Sequence, residues 1–235
     1  MMPFPEIIHA RQGKGKLMNY IGTRLAMPSV ILSILFSTTV IAANTNTATT
    51  STAGLQAKMA YCQDCHGLSG QGYGGVMPIP RIATQTTAYI ANQLLAFSES
   101  RRDGHVSVDM PKIHSVSPAI RAALASHFSG LNPEPLGDGP RNLVSVGKKI
   151  YEEGIPGANV PACSGCHGPA ARGQDKIPRL AGQLYPYTVK ELGNWTKERR
   201  QHSTNEDTSA VMVPVAHSLN QAQIAVIAAY LSYLK

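Results

Sequence analysis

Residues 62–67 read CQDCHG and residues 163–168 read CSGCHG. The chain has four cysteines, and these two phrases contain all of them. Cys62 and Cys65 precede His66, and Cys163 and Cys166 precede His167. Disulfides are one use for such thiols, but a bridge closed within C-x-x-C is a redox-active bond rather than a staple. A four-cysteine zinc ribbon is another, but it keeps its pairs about 15–20 residues apart. Here the second pair begins 101 residues after the first. Neither use explains a histidine after each pair.

C-x-x-C-H is the signature of covalent c-type haem attachment. Two thiols at this spacing reach the two vinyl groups on one edge of the porphyrin and form thioethers. The adjacent histidine is then pinned beneath the ring and offers its imidazole to the iron. The expectation is two haem c groups, attached through Cys62 and Cys65 and through Cys163 and Cys166, with His66 and His167 as axial ligands.

The similarity extends beyond the motif, as a search for internal repeats shows. PRIATQTTAYIANQLLAFSESRR (80–102) follows the first copy and PRLAGQLYPYTVKELGNWTKERR (178–200) follows the second. At a constant offset of 98, Pro80 meets Pro178, Arg81 meets Arg179, Gln85 meets Gln183 and Tyr89 meets Tyr187. Phe97 meets Trp195, and Arg101-Arg102 meet Arg199-Arg200. The offset drifts from 101 at the motifs to 98 and then about 103, which places insertions in loops. The chain reads as a tandem of two homologous domains, 54–130 and 143–235. They are joined by 131–142, which is rich in proline, glycine and polar residues as linkers are.

Periodicity makes both halves helical. Ile224, Ile227, Ala228, Leu231 and Leu234 follow the i, i+3, i+4, i+7 rule, and Asn220 with Gln223 forms a capping box. Ser117-Pro118 reads as an N-cap with proline at the first helical position. Val116, Ile120, Leu124, Phe128 and Leu131 follow it as an apolar stripe. Further helices are expected near 53–61, 86–101, 144–153 and 184–200. No run alternates as a strand, so the fold class is all-α.

The second axial ligand separates an electron carrier from an open, reactive haem. Beyond residue 43 the methionines are Met59, Met77, Met110 and Met212. Met59 and Met77 lie close to the first motif, where crossing the ring is awkward. Met110 lies 44 residues after His66 and Met212 lies 45 after His167, at equivalent points before the final helix of each half. A thioether is a soft ligand that favours ferrous iron, and Met110 and Met212 are the expected ligands. Methionine also fills cores, but a matched pair favours ligation. His114 and His217 are rival ligands, while His105, His127 and His202 read as surface residues.

The formal charge is +7 at pH 7. Residues 1–43 contribute Arg11, Lys14, Lys16 and Arg24 against Glu6. The remaining 17 basic and 13 acidic residues leave a mild balance, with no basic run to mark a nucleic-acid partner. Ala26–Ala43 is uncharged, centres on VILSILF (30–36), follows basic residues and ends in VIAA (40–43). That is the order of a secretory signal, with Met18 as a plausible start. Residues 1–43 are therefore expected to be a signal peptide and 44–53 a disordered leader. An uncleaved segment would instead anchor the protein or associate it loosely with the membrane. Its length is at the short edge for a span.

CQDCHG with PRIATQ and Met110, then CSGCHG with PRLAGQ and MVPVAHSLN (212–220), together resemble the two-haem class I cytochromes c, in particular the cytochrome c4 family. The resemblance covers roughly 54–235. It implies an all-α fold of two domains, each wrapped around one haem, and electron transfer in the bacterial periplasm. It gives Pro178 a role, its carbonyl accepting from His167. In the first half Pro80 aligns, but Pro78 lies at nearly the right distance from His66. GYGGVMPIP (72–80) is longer than its counterpart. Arg81, Arg101, Arg179 and Arg200 are candidate contacts for haem propionates, with solvated helix-end charge as the alternative.

The expected function is a shuttle between a cytochrome bc complex and a haem-copper oxidase. The alternative is a dedicated electron-accepting subunit of a periplasmic dehydrogenase. A two-haem peroxidase needs an open iron, and a thiosulfate-oxidising cytochrome of this layout uses an additional cysteine ligand, so neither enzyme is expected.

Overall fold

The computed structural model describes residues 52–102, 114–198 and 208–235, all within one compact unit, Thr45–Lys235. Residues 1–43, Met110, His105, His202, Arg199 and Arg200 lie outside the described residues. Among those described, every regular element is a helix or a 3-10 turn, apart from isolated bridges such as Tyr73 with Ile79 and Gln174 with Ile177.

In the first half, α1 (Thr52–His66) carries the first motif, α2 is Thr87–Ser98 and α3 is Pro118–Gly130. In the second, α4 is Val144–Glu153, α5 is Ser164–His167, α6 is Tyr185–Gly193 and α7 is Trp195–Glu198. The chain closes with α8 (Met212–Ser218) and α9 (Gln221–Tyr233). Among the described helices none is long and apolar enough to cross a membrane.

The caps read from sequence are formed. Ser117 Oγ accepts from the Ile120 amide with Pro118 at the helix start, and Asn220 and Gln223 exchange both bonds of the capping box at 2.9 Å. Two expectations change. The first helix does not stop at 61 but runs through the motif to His66, because nothing in YCQDCH breaks it. Gly67, at φ +80°, supplies the left-handed turn that ends it. The helix expected over 184–200 divides at Asn194, where a Gly-Asn pair disfavours helix. There the Asn194 side chain donates to the Lys190 carbonyl at 3.1 Å.

Each half has its own core. Ile90, Leu124, Ala125 and Phe128 form the first, packed by Leu55, Met59 and Cys62 from α1. Tyr151, Ala171, Ala181, Ile227, Tyr230 and Leu231 form the second, packed by Cys163. Each core therefore reaches a cysteine of its own motif. The paired bridges also locate the first-half insertion. Tyr73 to Ile79 spans six positions and Gln174 to Ile177 three, so the extra residues lie within 74–78.

Candidate haem sites and the seam between them

Both motif histidines are held in the same way. His66 Nδ1 lies 2.8 Å from the Pro80 carbonyl oxygen, and His167 Nδ1 lies 2.9 Å from that of Pro178. A carbonyl only accepts, so Nδ1 carries the proton and donates, leaving the Nε2 lone pair for a metal. The bond at His66 goes to Pro80, not Pro78. Burial pushes both imidazoles below the ordinary histidine range, partly offset by the proline carbonyls. At His66 the Arg102 cation pushes further down. A neutral imidazole with a fixed tautomer is the form that ligates iron.

None of the four cysteines is bonded to another, which leaves both pairs available for thioethers. Burial raises the Cys62 thiol, against Lys58, and pushes Cys163 up to about 11. Neither is a poised thiolate of a redox site. Among the described residues no three His, Cys, Asp or Glu converge as a metal site, so the four cysteines do not form one zinc centre.

Met212 is half-buried at the first residue of α8. Met59 packs in the first core and Met77 is exposed. Of the rival histidines, His114 stacks on Phe97 at 4.5 Å and His217 is exposed at the end of α8. His127 is not the surface residue expected. Its ring packs edge-on against Phe128, and its Nε2 is buried with no hydrogen-bond partner among the described residues.

Arg81 is 3% exposed and is not a solvated helix-end charge. Its guanidinium donates to the linker carbonyls of Pro133 at 2.6 Å and Glu134 at 3.3 Å, while its Nε is buried with no partner among the described residues. Burial, and then the like charge of Arg179, push Arg81 down to about 10, with Glu134 opposing. The Arg179 Nε donates to the Ala181 carbonyl. Both arginines line a cavity of about 290 Å³ with Arg172, Lys235 and Glu134. Its cationic wall suits carboxylates. Arg101 pairs with Glu99 at 2.6 Å.

Sequence reasoning did not find the residues that join the halves. Gln183 accepts from the Arg81 amide and donates to the Arg81 carbonyl, both at 2.9 Å. Gln85 does the same to Arg179, at 2.9 and 2.7 Å. Positions matched in the repeat thus bond reciprocally, as an isologous interface requires. The only signal was the recurrence of PR-x-x-x-Q. Beside them Arg102, 8% exposed, pairs with Glu191 at 3.3 Å and donates to Gln93 and Tyr187 at 2.7 and 2.8 Å.

Two helical halves, each presenting paired thiols and a neutral histidine whose Nδ1 is engaged, define a class: the two-haem c-type cytochromes. A family model for cytochrome c matches residues 144–235. Cytochrome c4 of Thiocapsa roseopersicina is 33% identical over 177 residues, 74% of this chain and 86% of its own. A thiosulfate dehydrogenase electron acceptor of Thiomonas intermedia (strain K12) is 31% identical over 178 residues, 74% of this chain and 78% of its own. The solved structure of cytochrome c4 from Acidithiobacillus ferrooxidans matches with a TM-score of 0.62 at 30% identity, over 74% of this chain and 99% of that one.

The chain belongs to the cytochrome c4 family, two-haem class I cytochromes c. It is an electron-transfer protein and carries two covalently bound haem c groups.

Proposed function

We propose that the protein is a periplasmic carrier that takes electrons from a quinol-oxidising cytochrome bc complex and delivers them to a haem-copper oxidase. Residues 1–43 serve as its export signal. Cys62 with Cys65, and Cys163 with Cys166, would hold the haems, and His66, His167, Met110 and Met212 would ligate their iron. When bound, each haem takes up and releases one electron. The chain fixes the imidazole tautomer through Pro80 and Pro178.

The observation that carries this reading is the duplicated Nδ1–carbonyl bond in two halves clasped face to face. It furnishes two similar one-electron sites in one small body. The test is anaerobic. The reduced protein should be oxidised rapidly by a haem-copper oxidase, and the oxidised protein reduced by a bc complex supplied with quinol. Failure of both reactions overturns the assignment.

The likeness to a thiosulfate dehydrogenase electron acceptor supports a second reading, a dedicated acceptor for a periplasmic dehydrogenase. Fast reduction by such a dehydrogenase, with none by the bc complex, selects it. The ligand set has its own check: replacing Met212 with Ala should abolish the near-infrared sulfur-to-iron band of the second haem, and an intact band removes Met212 as ligand. The export signal is tested by N-terminal sequencing, where an intact Met18 contradicts cleavage.

A further inference from the structure

The peptide unit that supports each histidine is also a contact of the opposite half. Pro80 C=O accepts from His66 Nδ1, and the N–H of that same peptide, on Arg81, donates to Gln183 Oε1 at 2.9 Å. Pro178 C=O accepts from His167 Nδ1, and the Arg179 N–H donates to Gln85 Oε1 at 2.9 Å. Both glutamines are buried, at 6% and 8% exposure. Each also donates its Nε2 to the next carbonyl, so its orientation is set at both ends.

We propose that Gln85 and Gln183 are crossed tuning residues, each setting the redox potential of the haem in the other half. The inference rests on the reading that His66 and His167 hold iron. Hydrogen bonds in a chain polarise one another. When the Arg81 N–H donates to Gln183, the Pro80 carbonyl oxygen gains negative charge and accepts more strongly from His66. A histidine whose Nδ1–H is more strongly bound is a more basic ligand. A more basic ligand stabilises ferric over ferrous iron and lowers the potential. Gln183 therefore lowers the potential of the first haem, and Gln85 that of the second. Docking of the halves is thereby written into both sites.

The experiment uses the full-length protein with both haems loaded. Gln183→Met keeps length and removes both bonds to Arg81, together with the bond that Oε1 accepts from the Leu184 amide at 3.0 Å; Gln85→Met removes both bonds to Arg179. Potentials are assigned to each haem by following its methyl resonances through a redox titration. Gln183→Met should raise the potential of the first haem at least twice as much as that of the second, and Gln85→Met should do the reverse. The His66 Nδ1 proton should exchange faster in Gln183→Met, while that of His167 does not.

A shift confined to the mutated half, an equal shift in both, or no shift overturns the proposal. Gln183→Glu separates tuning from simple loosening. It keeps an acceptor for the Arg81 N–H, loses the donor and adds a negative charge that also favours ferric iron, so the first potential should fall. A rise in both the Met and the Glu variants would mean that the interface has merely opened, and the proposal fails. If reduced spectra lack c-type bands, or His66→Ala leaves the first haem ligated as before, the underlying assignment fails instead. That result is distinct from an uncrossed shift.

Discussion

Tyr151 shows how a single side chain supports a haem motif from outside it. It is fully buried, and its hydroxyl donates at 2.5 Å to the carbonyl of Gly168, the residue after His167. Gly168 sits at φ +79°, a conformation that only glycine adopts freely. The carbonyl there belongs to a turn rather than a helix, and without Tyr151 it loses this partner. Tyr151→Phe keeps the ring and its packing on Tyr230 but removes the donor. The carbonyl keeps its bond from the Ala171 amide at 3.0 Å, so the loss is that of one hydrogen bond, about 0.5–1.5 kcal/mol. The expected outcome is a lower denaturant midpoint for the second half, followed by Trp195 fluorescence, with both haems still loaded. An unchanged midpoint would show that the Ala171 amide and water satisfy the carbonyl without Tyr151. The sequence contained both residues but no sign of their meeting, since they are 17 positions apart and belong to no shared motif. By contrast the cysteines, the histidines and the two prolines were legible, because covalent attachment and tautomer control act at fixed spacings.

Among the described helices, α4 and α9 make the most intimate pair, and Gly147 is the reason. A Cβ built there would lie 1.9 Å from the Val226 carbonyl oxygen and 2.9 Å from Tyr230 Cβ. The obstacle is backbone, so no rotamer change relieves it. Gly147→Ala gains about 1 kcal/mol of helix propensity but forces the helices apart. Overpacking costs about 1–3 kcal/mol, and an interhelical backbone clash belongs at the upper end. The net effect should be a lower melting temperature for the second half, measured by circular dichroism; a rise would show that α9 moves freely. Helix existence and most caps were readable here because periodicity and capping chemistry are local. What was not readable depended on context. α1 continues through CQDCH, whereas the second half breaks between α4 and α5 at IPGANVPA (155–162), where prolines stop the helix. The break at Asn194 likewise turns on one side chain competing for a backbone carbonyl.

At the scale of the molecule the question is whether the halves behave as one body. Arg102 of the first half and Glu191 of the second form a buried ion pair. The repeat position equivalent to Glu191 is Gln93, which also accepts from Arg102. The pseudo-symmetry is therefore broken by one carboxylate at the seam. Burial opposes the Arg102 charge, but Tyr187, Glu191 and Tyr89 outweigh it and hold the guanidinium above its ordinary value. A cation whose folded pKa is raised contributes stability at every pH below its unfolded pKa and loses it only as pH passes the folded one. The Arg102 side of the seam should hold throughout the accessible alkaline range. Removing one partner of a buried pair costs about 3–5 kcal/mol, whereas removing both costs far less. Glu191→Gln and Arg102→Met should each lower the unfolding midpoint sharply, and the double variant should lie well above the sum of the two. In the parent protein Trp195 fluorescence, which reports the second half, should change together with far-ultraviolet circular dichroism, which reports both. In Glu191→Gln the two transitions should separate, because the uncompensated cation loosens the seam before either core melts. Coincident transitions in that variant would mean that the Gln85 and Gln183 bonds suffice to couple the halves.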